Sequence, residues 1–181
     1  MKPMRIARHD RVRNTLDALA KARGFTTAME SSVTLDDGSV LRPDLMLISR
    51  NGPKTTVKVV DVTVRFESVV AGVSTLELAR GEKVRKYNSL VPKLADVYAT
   101  DVELVTVHPF VVGSRGALLQ HELKFLVEEV GLSKRDALHH ARMIALGVIR
   151  SGVRIIDAFM DRTVTGGGRP DHQGRQQYKS S

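Results

Sequence analysis

The chain has 181 residues and a formal net charge of +8, with 42% hydrophobic residues and no cysteine. This length suits one domain with a sizeable core and is hardly enough for two, and the lack of cysteine excludes a disulfide framework, Cys-ligated zinc and thiol catalysis within the chain. No apolar run approaches the ~20 residues that a membrane-spanning helix needs, so we expect no membrane partner, whereas the excess of positive charge favours a polyanion such as nucleic acid.

The distribution of apolar and turn residues predicts an α/β fold. Apolar residues at helical spacing predict a first helix that ends at Gly24, and Asp37-Gly38 is a strong hairpin signal between two strands. Hairpin-linked strands followed by a helical crossover predict a mixed sheet of about four strands, in the order helix-strand-strand-strand-helix-strand, plus C-terminal helices. In chain order, the predicted elements are a helix over 5–23, strands over 26–35, 40–49 and 55–66, a helix over 76–90, a strand over 102–112, a helix over 118–130 and a long helix or helix pair over 133–161.

Local signals set the ends of several elements. Pro92 is expected to stop the helix over 76–90, and Pro109 indicates that the fourth strand lies at an edge of the sheet or bends late. Ser133 and Asp136 form a capping box for the last helical stretch, which Gly152 is expected to break.

The end of the chain differs in composition from the rest. The stretch 165–181 has three consecutive glycines and many polar residues but no apolar periodicity, which indicates a mobile basic segment. We therefore predict one folded domain over 1–162 and a flexible basic tail over 163–181.

Two aspartates in neighbouring predicted strands are the main candidates for chemistry. Asp61 lies inside the β-branched run 57–64, where a carboxylate is costly to bury unless it is paired or binds a metal. If the hairpin turns symmetrically about Gly52-Pro53, residues whose numbers sum to 105 face each other, and Asp44 then lies opposite Asp61. Ile48 opposite Val57 and Met46 opposite Val59 follow from the same rule.

Opposed carboxylates on one sheet face lie ~5 Å apart and repel each other unless a cation lies between them. Mg²⁺, or Mn²⁺ in its place, binds oxygen ligands and needs only one or two carboxylates besides water and phosphate oxygens. Asp44 and Asp61 are therefore predicted metal ligands, and Glu30 in the preceding strand is either a third ligand or a solvent-facing residue. A register slip of two residues weakens this prediction, and an odd slip places the pair on opposite faces.

A phosphodiesterase also needs a cation to stabilise charge at the scissile phosphate. Lys83, Lys86 and Tyr87 are spaced i, i+3 and i+4, so they share one face of the predicted helix over 76–90. We predict these three as catalytic residues, with either lysine in the main role. The alternative is a non-catalytic lysine, whose aliphatic stem covers the apolar stripe of the helix while its ammonium group stays in water.

Nucleic-acid contacts are expected from the basic residues. Aromatic residues make up 4% of the chain and Trp is absent, which does not support a base-stacking platform of the single-strand type. We instead predict nucleic-acid contacts by Arg8, His9, Arg11 and Arg42. His9 is alternatively a proton carrier or a structural residue at the start of its helix.

Taken in order, these residues resemble motifs of the PD-(D/E)XK nuclease superfamily. More closely, they resemble the restriction-like endonuclease at the C-terminus of site-specific non-LTR retrotransposon polyproteins of the R-two type, over about residues 5–160. The resemblance implies a restriction-endonuclease-like sheet, Asp44 and Asp61 as metal ligands, and a catalytic lysine on the helix. It rests on Arg8-His9-Asp10, Arg42-Pro43-Asp44, Val60-Asp61-Val62 and Lys83-Val84-Arg85-Lys86-Tyr87.

The same resemblance implies a function and partners. The domain would nick double-stranded target DNA in the nucleus, and the freed 3′ hydroxyl would prime reverse transcription. The parent polyprotein would also be an RNA-directed DNA polymerase, which brings the element RNA as a further partner. Because that family carries Cys/His zinc motifs and a polymerase, which are absent here, we expect this chain to be a fragment or excised domain.

One departure concerns the catalytic lysine, and two other functions stay open. The superfamily lysine normally follows the second acid by two residues, where this chain has Thr63, so the resemblance implies that Lys83 or Lys86 takes its place. The first alternative is a non-catalytic, basic nucleic-acid-binding module with a vestigial acidic pair. The second is a stand-alone PD-(D/E)XK nuclease, such as a junction-resolving or restriction enzyme.

Overall fold

A computed structural model of the chain describes residues 2–50 and 52–165, and the side chains up to residue 161. One helix precedes a run of seven strands, two helices and a 3-10 turn lead to the eighth strand, and helical segments follow it. In order, they are α1 (Lys2–Ala22), β1 (Thr26–Met29), β2 (Val33–Thr34), β3 (Val40–Leu41), β4 (Leu45–Ser49), β5 (Thr56–Arg65), β6 (Val69–Val70), β7 (Val73–Ser74), α2 (Thr75–Tyr87), α3 (Leu90–Val97), a 3-10 turn (Val102–Leu104), β8 (Val105–Gly113), α4 (Gln120–Lys124), a π-helical segment (Phe125–Glu129) and α5 (Lys134–Thr165).

The main sheet has four strands in the order β1-β4-β5-β8. The pairs β1–β4 and β4–β5 are antiparallel, whereas β5 and β8 are parallel, as the helical crossover through α2 and α3 requires. The predicted α/β fold with a mixed four-stranded sheet is confirmed. The predicted edge position of Pro109 is confirmed as well, because β8 ends the sheet.

Helices cover both faces of this sheet. On one face, Leu45 and Val60 belong to a core cluster that includes Leu16 of α1 and Ile144 of α5. On the other face, Met46 and Val59 pack with residues of α2 and α3, including Tyr87, Leu90 and Leu94. Burial on both faces explains why β4 and the centre of β5 are continuous apolar runs rather than alternating ones.

The register of β4 and β5 agrees with the predicted one. Ile48 pairs with Val57 and Met46 with Val59, so the rule that paired numbers sum to 105 is confirmed. Along these strands, even positions of β4 and odd positions of β5 face the layer of α2 and α3. Asp44 and Asp61 have these parities, so both belong to the face that α2 covers.

The long strands predicted over 26–35 and 40–49 are each split in two. β2 and β3 form a separate hairpin, whose turn places Gly38 at φ +80°, as the Asp37-Gly38 signal predicts. Between β3 and β4, Pro43 has no N–H to donate to a ladder. Between β1 and β2, Glu30 has φ +49°, so the chain turns there instead of continuing the strand.

The helix predictions over 76–90 and 133–161 need correction. The first helix ends at Tyr87, and a second one, α3, begins at Leu90. Pro92 lies in the first turn of α3, where a missing N–H costs nothing. Gly152 does not break α5, because the helix is continuous. A Cβ there would lie 3.6 Å from the Ser114 carbonyl oxygen, an ordinary contact distance, so the packing of α5 does not require glycine at this position.

Other boundary predictions have mixed outcomes. The capping box of α5 is confirmed, since the Asp136 amide donates to the Ser133 hydroxyl at 3.1 Å. The helix predicted over 118–130 is a short α-helix followed by a π-helical segment. Of the predicted tail, residues 163–165 belong to α5, and 166–181 lie outside the described residues. In the part of the chain that is described, no helix is sufficiently long and apolar to span a membrane.

Candidate active site

Asp44 and Asp61 are brought to adjacent positions at one end of the β4–β5 ladder. The last ladder pair is Leu45 with Val60, so extending the register by one residue sets Asp44 opposite Asp61. The side chain of Asp61 is 4% exposed and that of Asp44 is 18% exposed. The charges of both carboxylates act on the Tyr87 hydroxyl and raise its pKa, in addition to the larger effect of burial. A buried and a partly buried carboxylate therefore share one site.

His9 of α1 holds Asp44 in place. Its Nε2 lies 3.0 Å from Asp44 Oδ2 and 3.1 Å from the Val62 carbonyl oxygen, and its Nδ1 lies 3.2 Å from Asp10 Oδ1. The Val62 amide donates to the same Asp44 oxygen at 2.7 Å. Both ring nitrogens thus face acceptor oxygens, which is the environment of a protonated imidazolium.

The protonation of this pair follows from its contacts. The hydrogen bond to Asp44 raises the pKa of His9 to about 9, against the opposing effect of burial. Burial alone would raise the pKa of Asp44, but the hydrogen bond and charge of His9 leave it lowered. At neutral pH the site therefore contains an imidazolium and a carboxylate, with Asp44 fixed through one oxygen.

We predict a pH-dependent stability that comes from His9. Below its ordinary pKa of 6.5 the histidine is protonated in both folded and unfolded chains, so its stabilising effect is complete. This effect is lost as the pH rises through about 9. The free energy of unfolding should therefore fall between these pH values by at most a few kcal/mol, since each pKa unit corresponds to about 1.4 kcal/mol.

The measurement is chemical denaturation of the wild type and His9→Gln across this pH range. In the His9→Gln variant, the free energy of unfolding should no longer fall with pH over this range. In His139→Gln, on the exposed surface of α5, it should fall as in the wild type. Equal slopes in wild type and His9→Gln would contradict the assignment. Asp44 acts in the opposite sense, because its lowered pKa adds stability that is lost as the pH falls through the acidic range.

Lys83 of α2 pairs with Asp61. Its Nζ lies 2.8 Å from Asp61 Oδ2, and the lysine side chain is 25% exposed. The hydroxyl of Thr63, two residues after Asp61, lies 3.5 Å from the same oxygen. The charge of Lys83 also lowers the pKa of Asp44, so one ammonium group is close to both carboxylates.

Tyr87 and Lys86 lie beside this group in different surroundings. Tyr87 is 1% exposed, and its hydroxyl donates to the Arg42 carbonyl oxygen at 3.1 Å. Lys86 is exposed, with Nζ 2.9 Å from that hydroxyl and 4.4 Å above the ring centroid. The raised pKa of Tyr87 keeps its proton in place, so Lys86 contacts a neutral phenol whereas Lys83 contacts a carboxylate.

Glu30 makes its contacts with arginines rather than with the two aspartates. Its amide donates to the Asp44 carbonyl oxygen at 3.1 Å, but its carboxylate accepts from Arg13 and Arg42, each at 2.7 Å. Within residues 2–50 and 52–165, no three His, Cys, Asp or Glu side chains form a group able to hold a metal. The structure thus brings Asp44 and Asp61 together without adding Glu30 as a third ligand.

The three arginines predicted to contact nucleic acid have different surroundings. Arg42 is tied to Glu30 through its guanidinium. Arg8 lies in a cleft next to His9, and Arg11 lines the groove between α1 and α5. Their contacts with nucleic acid stay predictions.

Two side chains of α1 contribute contacts that the sequence did not predict: Asp10, which was part of the Arg8-His9-Asp10 motif but had no assigned role, and Arg13. Asp10 contacts His9, and Arg13 bridges Asp10 and Glu30 at 3.4 and 2.7 Å. The sequence did contain a signal for this arrangement. Arg13 follows His9 by four positions and Asp10 by three, and residues at these spacings are neighbours on a helix.

Comparison with known proteins points to a mobile element. No protein-family model matches the chain. Among curated proteins, the chain is similar to the "Retrovirus-related Pol polyprotein from type-1 retrotransposable element R2" of Popillia japonica, with 34% identity over 112 residues. The match covers 61% of this chain and 21% of that polyprotein, so the chain spans about a fifth of its relative's length. This similarity supports a retrotransposon-related origin.

Proposed function

We propose that this chain is a metal-dependent DNA endonuclease domain of a retrotransposon polyprotein, which nicks target DNA. The observation that carries the proposal is the pair of carboxylates, buried Asp61 and partly buried Asp44, on one face at the end of the β4–β5 ladder. Lys83 lies 2.8 Å from Asp61. Like charges held together in a largely buried position, with a cation beside them, mark a candidate site for metal and phosphate.

The donor set fits Mg²⁺, with Mn²⁺ as a substitute. Asp44 and Asp61 would hold the ion, because Mg²⁺ is commonly bound by one or two carboxylates together with water and phosphate oxygens. The hydrogen bonds to Asp44 from His9 and Val62 use Oδ2, so the orientation of the carboxylate is fixed before a ligand arrives. When bound, the ion would polarise the phosphodiester and lower the pKa of an attacking water.

The remaining residues would orient the reactants and stabilise charge. Lys83 would position the attacking water and stabilise negative charge that develops on the phosphate. His9 is a positioning residue, since it acts through Asp44. Tyr87 keeps its proton and remains a hydrogen-bond donor beside Asp61. Burial, and to a lesser degree the nearby Asp61 carboxylate, raises the pKa of the Tyr87 hydroxyl.

The context of the proposal is target-primed reverse transcription. The order helix-strand-strand-strand-helix-strand around a mixed sheet supports a restriction-endonuclease-like fold, and the similarity to the R2 Pol polyprotein supports the mobile-element setting. The nicked strand of a double-stranded nuclear DNA would supply a 3′ hydroxyl to the polymerase of the parent protein. Element RNA would reach the complex through that parent protein.

The direct test is a nicking assay on supercoiled plasmid with the purified chain. Open-circular DNA should appear with Mg²⁺ or Mn²⁺ and should not appear with EDTA. Linear DNA as the first product, with a stable dimer in solution, would favour a stand-alone nuclease. Salt-dependent binding without cleavage at any metal concentration would overturn the proposal in favour of a binding module.

A further inference from the structure

A cleft of about 720 Å³ lies next to the acidic pair. It is bounded by the first part of α1, the end of β5, the loop after β8 and the second half of α5. His9 lines the cleft and holds Asp44 at 3.0 Å, so the cleft and the candidate active site share a wall. Its lining combines cationic and apolar side chains, including Arg5, Arg8, Val64, Phe66, Arg115, Ile149, Val153 and Ile156.

The cationic side of the cleft is formed by Arg5 and Arg8, whereas the third arginine of the lining, Arg115, is paired with Glu67 at 3.3 Å. No Asp or Glu belongs to the described residues that line it. Nε of Arg8 is buried and has no hydrogen-bond partner among residues 2–50 and 52–165. Burial lowers the pKa of Arg8, and the nearby charge of Arg5 lowers it further. Two arginines thus stand close together where an anionic ligand would relieve their repulsion.

The opposite side of the cleft consists of exposed apolar side chains, with the Arg115 guanidinium over one face of the Phe66 ring. Phe66 is 64% exposed, and the guanidinium carbon of Arg115 lies 4.9 Å from its ring centroid. Ile149, Val153 and Ile156 on α5 are 38%, 52% and 61% exposed. A large exposed ring beside aliphatic side chains is a surface that a flat, weakly polar group can cover.

We propose that this cleft binds one unpaired nucleotide of the nucleic-acid substrate, with its phosphate on Arg5 and Arg8 and its base on Phe66. This inference rests on the proposed function, because it takes the substrate to be nucleic acid. Phosphate and base are the two parts of one ligand that match the two sides of the cleft. Guanidinium groups bind phosphate oxygens through paired hydrogen bonds. Each of the four bases can stack on an aromatic ring.

The base must be unpaired to reach the ring. In a duplex the bases are stacked inside the helix, and contact with a protein pocket requires that one leave the stack. The low aromatic content does not support a base-stacking platform of the single-strand type, but one exposed ring is enough to stack one base. Because His9 joins the cleft to Asp44, the unpaired nucleotide would lie next to the position of the cut.

The test compares two fluorescein-labelled DNA hairpins in EDTA by fluorescence anisotropy. One hairpin has a blunt end, and the other has a single unpaired thymidine at that end. The wild-type chain should bind the second more tightly. Phe66→Ala should weaken that binding by roughly tenfold and leave the blunt hairpin unaffected. Phe66→Leu, which keeps an apolar side chain but removes the ring, should behave like Phe66→Ala and guards against misfolding.

The arginine side of the cleft is tested by the salt dependence of binding. Arg8→Gln should reduce the slope of log affinity against log salt by about 0.7 to 0.9, the effect of one lost phosphate contact. Arg135→Gln, an exposed residue at the start of α5, makes the same charge change outside the cleft. This control should leave unchanged the preference for the hairpin with the unpaired thymidine.

Two results would overturn the proposal. The first is equal binding of both hairpins by the wild type, and the second is an unchanged preference in both Phe66 variants. Either result would leave the cleft to a partner of another class, such as an acidic, apolar peptide. Because binding in EDTA requires no cleavage, these results are separate from the nicking assay, and a chain that binds as expected but never cuts would contradict the nuclease proposal alone.

Discussion

Asp61→Asn is expected to reduce Mg²⁺-dependent nicking of plasmid DNA by about 10³-fold or more, which corresponds to about 4 kcal/mol of lost transition-state stabilisation. Asparagine keeps the size of the side chain but removes the negative charge that would hold the ion. Since Asp61 is 3% exposed, it adds little to contact with a DNA surface. The affinity for uncut DNA in EDTA should therefore stay within a few-fold of wild type.

The design needs a matched pair and a control. Asp44→Asn should have an effect of the same order, because the two carboxylates would hold one ion. Asp96→Asn on the exposed side of α3 makes the same chemical change outside the acidic pair and the cleft and should leave nicking intact. Near-normal cutting by either site variant, with thermal unfolding showing that it is folded, would contradict the assignment of the acidic pair.

The position of the acidic pair was predictable from the sequence because it depends on strand pairing. In β-strands side chains alternate between faces, so one correct register assigns every residue of both strands to a face. Pairs such as Ile48 with Val57 followed from a symmetric turn, and Asp44 and Asp61 followed from those pairs. No knowledge of distant contacts was needed.

Glu30 shows where this reasoning fails. The β1–β4 register places it opposite Asp44, as the hydrogen bond from its amide to the Asp44 carbonyl shows. Its φ of +49° turns the chain away from the strand, and Arg13 and Arg42 bind its carboxylate. Nothing in the local sequence indicates a left-handed glutamate, since the conformation is set by contacts with α1 and with the segment before β4.

The contact between His9 and Asp44 could not be predicted from the sequence either, because it also depends on how distant segments pack. The two residues are 35 positions apart, and α1 approaches the sheet through buried residues such as Leu16 rather than through His9 itself. The packing angle of a helix on a sheet decides which polar residue at its end meets which strand. Helical periodicity predicts the buried face of α1 and does not predict that angle.

The candidate lysine follows from the packing of α2 on the face that contains both aspartates. Tyr87 is buried in the core beneath α2, and Lys83 precedes it by one helical turn. Lys83 is therefore directed at the end of the β4–β5 ladder, where it meets Asp61. Thr63 has a hydroxyl rather than an ammonium group, and this hydroxyl approaches the same carboxylate oxygen. A lysine on the helix can thus take the place of one on the strand.

Lys83→Gln is accordingly expected to lower nicking by about 10²- to 10³-fold, the usual effect of removing one group that stabilises transition-state charge. Lys86→Gln should change it by less than about tenfold, because Lys86 is exposed and contacts the neutral Tyr87 hydroxyl. Both variants lose one positive charge from the same helix, so each is the control for the other. Loss of activity in Lys86→Gln with normal cutting by Lys83→Gln would assign the role to Lys86.

A second measurement separates a catalytic lysine from a merely structural one. Removing Lys83 leaves the buried carboxylate of Asp61 without its cation, which should destabilise the fold by about 3 kcal/mol or more. If Asp44 and Asp61 bind Mg²⁺, the ion can replace the lost ammonium. Adding Mg²⁺ should then raise the unfolding temperature of Lys83→Gln by more than it raises that of the wild type, while the nicking activity of the variant remains low. Recovery of stability together with activity would show that Lys83 only neutralises the pair, and no shift with Mg²⁺ would argue against a metal between Asp44 and Asp61.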